Sequence, residues 1–263
     1  MQKKLLEKYK ALRELVRSLE SCIVAFSGGV DSSLVAKVAF LELGNNALAV
    51  TVVSEVVPKH EIENAKLVAR DIGIKHKLLK INLLADERFK KNDEKRCYYC
   101  KLKIFKELKK IKEELGFKAI VDGTNYSDIF EDRPGIKALK ELGVVSPLLE
   151  AKIKKDEVRA IAKYLKLRNF DRESYTCLAT RLHKGQRITL EKLKQIEKAE
   201  NFLRSKGLEN FRVRLHAQKL AILEIQKKQL NLILENSEVI LRNFNKLGFE
   251  KVAIDINFRK SEK

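Results

Sequence analysis

No stretch of this chain approaches the roughly 18 consecutive apolar residues that a membrane-spanning helix needs. The longest apolar stretches, Cys22–Phe26 and Ala47–Val53, have strand length. The first ten residues carry charge at Lys3, Lys4, Glu7 and Lys8 and have no apolar centre, so no secretion signal is read and the cytoplasm is expected. Four cysteines in such a chain point to metal binding or catalysis rather than to a disulfide framework. There are no internal repeats and no low-complexity linker. Acidic residues are few against basic ones, 36 to 55, giving a formal charge of +19. That surplus suits anionic partners such as nucleotides, RNA or acidic lipid. The lysines are, however, spread along the chain and interleaved with glutamates, as on solvated helix faces.

What is present is a chain of 263 residues with 44% hydrophobic content, enough for one large or two modest cores. Residues 2–20 show helical spacing at Leu5, Leu12, Leu15, Val16 and Leu19. Strands are predicted at Cys22–Phe26, Ala47–Val53, Lys77–Leu83, Ala119–Val121 and near Val144. Helices are predicted from about Asp31, from Pro58 to about Ile72, over Cys97–Leu115 and over Lys155–Leu165. Strands alternating with helices predict an α/β fold with a parallel sheet covered on both faces. Beyond an irregular stretch at 169–188 the pattern becomes helix, two strands, helix, strand: a helix at Leu190–Lys206, strands at Phe211–Leu215 and Ala221–Ile225, a helix from Lys228, and a strand at Lys251–Asn257. The expected organisation is therefore 1–168 as the α/β domain and 169–263 as a small α+β domain.

In parallel sheets ligands bind beyond the carboxyl ends of the strands. The most informative string lies there: Ser27-Gly28-Gly29-Val30-Asp31-Ser32-Ser33, between a buried strand and a helix. Two glycines let the backbone approach a ligand closely. Backbone N–H groups at a helix start make an anion site. The hydroxyls of Ser27, Ser32 and Ser33 add donors, and Asp31 can cap the helix or reach a Mg²⁺ shared with phosphates. The Gly-Lys-Ser/Thr end of a Walker A loop is missing, and so is the dinucleotide pattern G-x-G-x-x-G. The string resembles the pyrophosphate loop of the PP-loop ATP pyrophosphatases, which implies an adenine nucleotide α-hydrolase-like fold and cleavage of ATP between its α and β phosphates. A second loop, Asp122–Asp128, ends the fourth strand. Its Gly123 permits close approach of a nucleotide, Asp128 can hold Mg²⁺, and Arg133 can pair with a phosphate or carboxylate.

Cys97-Tyr98-Tyr99-Cys100 opens a helix, and Cys177 lies in the irregular stretch. Cys22 starts a buried strand and reads as a small core residue. A Cys-x-x-Cys pair at a helix start can be a redox pair, half a zinc site or part of an iron–sulfur site. Zinc lacks an evident fourth ligand, though His183 near Cys177 keeps it open. Three thiolates suit a [4Fe–4S] cluster with one iron left open.

Several further strings occur in order along nearly the whole chain: Arg96-Cys-Tyr-Tyr-Cys-Lys101, Gly123-Thr-Asn125 with Asp132-Arg-Pro-Gly135, Ser146-Pro-Leu148, Cys177-Leu-Ala179 with Arg181, and Arg212-Val-Arg214. Together with the phosphate loop they resemble the LarE family, sulfur transferases of nickel-pincer nucleotide cofactor synthesis. The resemblance implies adenylylation of a carboxylate of pyridinium-3,5-biscarboxylic acid mononucleotide and displacement of AMP by sulfur, twice. In some members the cysteine matching Cys177 gives up its own sulfur and becomes dehydroalanine. Those members lack the pair at Cys97 and Cys100. Because all three are present here, Cys97, Cys100 and Cys177 are expected to hold a [4Fe–4S] cluster that carries sulfide from a sulfur donor. Arg181, Arg212 and Arg214 are expected to bind the substrate's phosphate and carboxylate, with Glu200 as a further metal or substrate contact. Family members are often homo-oligomers. The rival is an iron–sulfur-dependent tRNA thiolation enzyme of the same class, which the net charge also suits.

Overall fold

Cys22, Ile23 and Val24 are fully buried, as expected for a short β-branched strand with neighbours on both sides. The structure, a computed structural model, describes residues 3–130, 134–173 and 175–260. Its elements are α1 (Lys3–Ser18), β1 (Cys22–Ala25), α2 (Val30–Leu43), β2 (Ala47–Val53), α3 (Lys59–Ile72), β3 (Lys75–Lys80), α4 (Glu87–Lys90), α5 (Arg96–Leu115), β4 (Ala119–Val121), α6 (Pro134–Glu141), α7 (Pro147–Glu150), α8 (Lys155–Tyr164), α9 (Leu190–Ser205), β5 (Arg212–Leu215), β6 (Leu220–Glu224), α10 (Leu230–Glu235), α11 (Ser237–Lys246) and β7 (Lys251–Ile254).

β1 to β4 form one parallel sheet in the order β3-β2-β1-β4. The chain steps outward from β1 through β2 to β3, then crosses to the other side of β1 for β4. The carboxyl ends of β1 and β4 thus flank the topological switch point, where such sheets bind ligands. α2 is apolar nearly all round, with Leu34, Val35, Ala36, Val38 and Ala39 all buried, so it lies sandwiched in the core and not on the surface. The strand expected near Val144 is reduced to a single parallel bridge, Val121 to Val145. Val145 N–H donates to Ile120 O (3.0 Å) and Asp122 N–H to Val145 O (3.1 Å). Pro147 then has no N–H for a ladder and starts α7 instead. The third strand begins two residues earlier than expected and ends at Lys80, because Leu83 already belongs to a tight helical turn.

The chain divides into two units, and not at residue 168. The first comprises 1–83 and 94–174, the second 84–93 and 175–263. Residues 169–173 stay with the first unit because Asn169 bonds to the Ser27 loop and Arg172 to Glu61. Residues 84–93 belong to the second unit because Asn92, fully buried, donates from Nδ2 to His183 O (2.8 Å) and Gln186 O (3.0 Å). Backbone bonds from Gly185 N to Asn92 O and from Ile188 N to Lys90 O complete the tie.

In the second unit β5 pairs antiparallel with β6, and β6 parallel with β7. The single helix expected from Lys228 is two, α10 and α11, broken at Asn236, whose side chain bonds back to Leu232 O (2.9 Å).

Candidate active site

The loop after β1 is built from its own hydroxyls. Ser32 Oγ donates to Gly29 O (3.1 Å), accepts from Ser27 N–H (3.2 Å) and lies 3.1 Å from Ser27 Oγ. Gly29 N–H donates to Ser27 Oγ (3.3 Å). Gly28 has φ +74°, and a Cβ there would lie 2.8 Å from Ala65 Cα, so only glycine fits. Gly29 is the N-cap of α2, and among the described residues no side chain caps that helix. Asp31 is therefore not a cap. Its Oδ1 accepts from Asn125 Nδ2 (3.1 Å), and its Oδ2 forms an ion pair with Lys155 Nζ. Ser33 departs from the expectation of a phosphate donor. It is fully buried, and its Oγ accepts from Asn169 Nδ2 (2.9 Å).

The loop after β4 meets the first turn of α2. A Cβ at Gly123 would lie 2.7 Å from Ser32 N. Asp128, expected at a metal, is buried in its own turn, where Oδ2 accepts from Asn125 N–H (3.0 Å). Asp122 accepts from Ser146 Oγ (2.7 Å) and Thr124 N–H (3.2 Å). Arg133 lies outside the described residues. The Gly123→Ala variant tests how closely the two loops must meet. Its methyl would be forced against backbone, an overpacking cost of about 1–3 kcal/mol. The expected result is an affinity for ATP at least about tenfold lower by calorimetry.

Cys97 and Cys100 stand one turn apart at the start of α5, Cys97 exposed and Cys100 partly so. Arg96 Nη2 donates to Cys97 Sγ at 3.6 Å. Cys22 differs in kind, since burial pushes its thiol up to about 12. All four cysteines are thiols and not disulfides.

In the second unit, Cys177 precedes a helical turn at Leu178–Arg181 and is partly exposed. Arg181 and Glu200, each 1% exposed, form a buried ion pair under it, Nε to Oε1 at 2.7 Å. Arg181 Nη1 also donates to Thr176 O (3.1 Å), Thr176 Oγ1 (2.6 Å) and Thr180 Oγ1 (2.9 Å), and its guanidinium stacks 4.8 Å from the Tyr175 ring. Tyr175 Oη donates to Glu200 Oε2 (2.7 Å) and Val213 N–H to Glu200 Oε1 (3.2 Å). Arg181 and Glu200 were expected to contact substrate, and in the structure both are engaged within the fold. Their polar atoms are turned to each other and to residues 175–180, so they hold the Cys177 segment in shape. Burial works against the charge on Arg181, but Glu200, Tyr175 and Cys177 outweigh it and raise its pKa. Arg181→Met would leave the buried Glu200 carboxylate without its counter-charge, with only Tyr175 Oη and Val213 N–H to satisfy it. An unfolding free energy lower by about 3–5 kcal/mol is expected in denaturant titration.

Arg212 and Arg214 share one face of β5, because Val213 and Leu215 point into the core. Arg214 pairs with Glu224 and donates to Thr180 O. The Arg212 side chain has no hydrogen bond or ion pair among the described residues. Burial, then Arg259, Arg181 and Arg214, push its pKa down to about 10.

The NAD synthase family model matches residues 5–104, which include the phosphate loop. An uncharacterized protein of Synechocystis sp. is 39% identical over 97% of this chain and 96% of its own. A second, from Methanocaldococcus jannaschii, is 35% identical over 98% of both. The pyridinium-3,5-bisthiocarboxylic acid mononucleotide synthase of Lactiplantibacillus plantarum is 33% identical over 92% of this chain and 87% of its own. The chain belongs to the LarE family. It is an ATP-dependent sulfur-transferring enzyme of the PP-loop class, and ATP with Mg²⁺ is what that class uses.

Within this LarE-family chain, the first unit brings Ser27, Gly28, Gly29, Asp31, Ser32 and Gly123 together at the switch point. Lys155 joins them at the start of α8, and sequence reading missed it. The available signal was its place just after Ser146-Pro-Leu148, at a helix start beyond the sheet's carboxyl edge. Among the described residues no three of His, Cys, Asp or Glu are gathered as a ready-made metal site. No described helix is long and apolar enough to cross a membrane.

Proposed function

We propose that this enzyme makes the bis-thiocarboxylate of a pyridinium-3,5-biscarboxylic acid mononucleotide, one carboxylate at a time. The reading is carried by the near full-length similarity to a synthase named for that product. A carboxylate oxygen attacks the α-phosphorus of ATP, the bond to the β-phosphate oxygen breaks, and pyrophosphate leaves. A sulfide nucleophile then adds to the acyl carbon, the bond to AMP breaks, and a thiocarboxylate and AMP result.

Each residue has a task in this account. Ser27, Gly28, Gly29 and Ser32 hold the pyrophosphate through backbone N–H and hydroxyl donors. Asp31 binds Mg²⁺ once Lys155 turns from it to a phosphate oxygen. Gly123 leaves room for the nucleotide, and Asp128 shapes the loop beside it. Arg212 and Arg214, with Arg133, bind the substrate's anionic groups. Cys97, Cys100 and Cys177 would hold a [4Fe–4S] cluster. What supports this is the chemistry of the donors alone: all three are thiols that reach solvent, while Cys22 does not. When bound, the cluster supplies sulfide as the nucleophile. The enzyme so described works in the cytoplasm as a homo-oligomer fed by sulfide or a sulfur donor.

The test is anaerobic incubation of the iron-reconstituted enzyme with ATP, sulfide and the biscarboxylate nucleotide, with mass spectrometry of product and protein. Many thiolations per chain with intact Cys177 are expected. One turnover with Cys177 converted to dehydroalanine would replace the cluster by a sacrificial thiol. The +19 charge favours tRNA thiolation as a second reading. A mobility shift with bulk tRNA at physiological salt is the observation that would promote it.

A further inference from the structure

We infer that Asn169 is a positioning residue for the phosphate loop, setting the plane of the peptide that presents Gly29 N–H to the departing pyrophosphate. Asn169 lies in the segment after α8 and is only 3% exposed. Its Nδ2 donates to Gly28 O (2.9 Å) and to Ser33 Oγ (2.9 Å). Asn64 Nδ2, from α3, donates to the same Gly28 carbonyl (3.1 Å). One loop carbonyl is thus held by two side-chain amides from separate elements.

The consequence follows from peptide geometry. In a trans peptide the C=O and the following N–H point in opposite directions. Fixing Gly28 O toward the amides aims Gly29 N–H to the opposite side, where it donates to Ser27 Oγ. Gly28, at φ +74°, has backbone conformations open to it that other residues lack, and the two amides select one of them. A loop whose donors are fixed before the ligand arrives loses less entropy on binding and stabilises charge better as it develops.

A purely structural asparagine would use both ends of its amide. Asn169 does not, because its Oδ1 is buried and has no hydrogen-bond partner among the described residues. Such an orphaned acceptor is unfavourable, and in native proteins it calls for an explanation. The orientation is imposed by the loop, since turning the amide over would face Oδ1 toward Gly28 O. Arg172, three residues on, ties the same segment to Glu61 of α3 (2.6 Å), the helix that also carries Asn64.

The inference rests on pyrophosphate occupying this loop, and the experiment separates the two ideas. Affinities for inorganic pyrophosphate and for AMP, each with Mg²⁺, are measured calorimetrically on the full chain and on Asn169→Ala, Asn169→Asp and Asn64→Ala. Asn169→Ala is expected to weaken pyrophosphate about 10- to 30-fold while AMP changes less than about threefold, the loss corresponding to one or two hydrogen bonds. Asn169→Asp should weaken it further, because a carboxylate oxygen would face Gly28 O. Asn64→Ala, on the partly exposed partner, should show the same selectivity at smaller size and serves if Asn169→Ala does not fold. Equal losses for pyrophosphate and AMP, or unchanged pyrophosphate affinity, would overturn the role of Asn169. Failure of the unaltered chain to bind pyrophosphate at all would instead remove the loop's assignment and the inference with it.

Discussion

Cys177→Ala is expected to leave ATP–pyrophosphate exchange within about twofold of the unaltered enzyme and to lower thiocarboxylate formation at least about 10³-fold, as removal of an essential sulfur-handling group should. The first half-reaction is assigned to the loop after β1 and to Asp31, all in the first unit. Cys177 belongs to the second unit, on a segment held by the buried Arg181–Glu200 pair. Its loss removes a thiol without disturbing the phosphate loop. Exchange of labelled pyrophosphate into ATP reads adenylylation, and mass spectrometry of the nucleotide reads sulfur transfer. Parallel loss of both activities would mean that Cys177 acts before or during adenylylation. Retained thiolation would remove it from sulfur handling altogether. Cys97→Ser and Cys100→Ser extend the test: under the cluster reading each should lose iron and turnover together, whereas a sacrificial Cys177 would still give one turnover.

Lys155→Ala is expected to act on the other half-reaction, cutting the exchange rate by about 10²-fold or more, the effect of removing one preorganised charge from a phosphoryl-transfer site. The ammonium stands in the crevice against Asp31, a carboxylate that is also bonded by Asn125. Entry of ATP with Mg²⁺ puts a stronger cation beside Asp31 and phosphate oxygens beside Lys155, so both partners gain from exchanging. Lys155→Arg should keep more activity than Lys155→Ala because charge remains, though its planar fork differs in shape. An exchange rate in Lys155→Ala equal to that of the unaltered enzyme would make the ion pair a structural contact only. The two predictions are complementary: one variant stops after activation, the other before it.

The sequence was most informative where local pattern and chemistry coincide. The runs at Cys22–Phe26 and Ala47–Val53, the glycine turn after the first, and the helix carrying Cys97 and Cys100 each follow from spacing and residue type alone, and the structure has them within a residue or two. Strand alternation with helices was enough for the parallel sheet. Local pattern gave a wrong length where termination depends on a neighbour. The Val144 strand shrinks to one bridge because Pro147 follows it, and the Lys228 helix breaks at Asn236.

Tertiary structure decided which polar residues are used up within the fold. Arg181, Ser33 and Asp128 have the right chemistry to touch a nucleotide or an anion. Whether a guanidinium faces a ligand or a buried glutamate depends on packing of segments far apart in the chain, which periodicity does not encode. The same holds for Lys155, 124 positions from its partner Asp31, and for Asn169, 141 from Gly28. The sequence by itself determined the strands and helices, the glycine loop and the placing of the cysteines on a helix start and an irregular stretch, because those are local. Only the folded chain decided which side chains stabilise that loop and which remain to meet a substrate, because that is a matter of long-range burial and hydrogen-bond satisfaction.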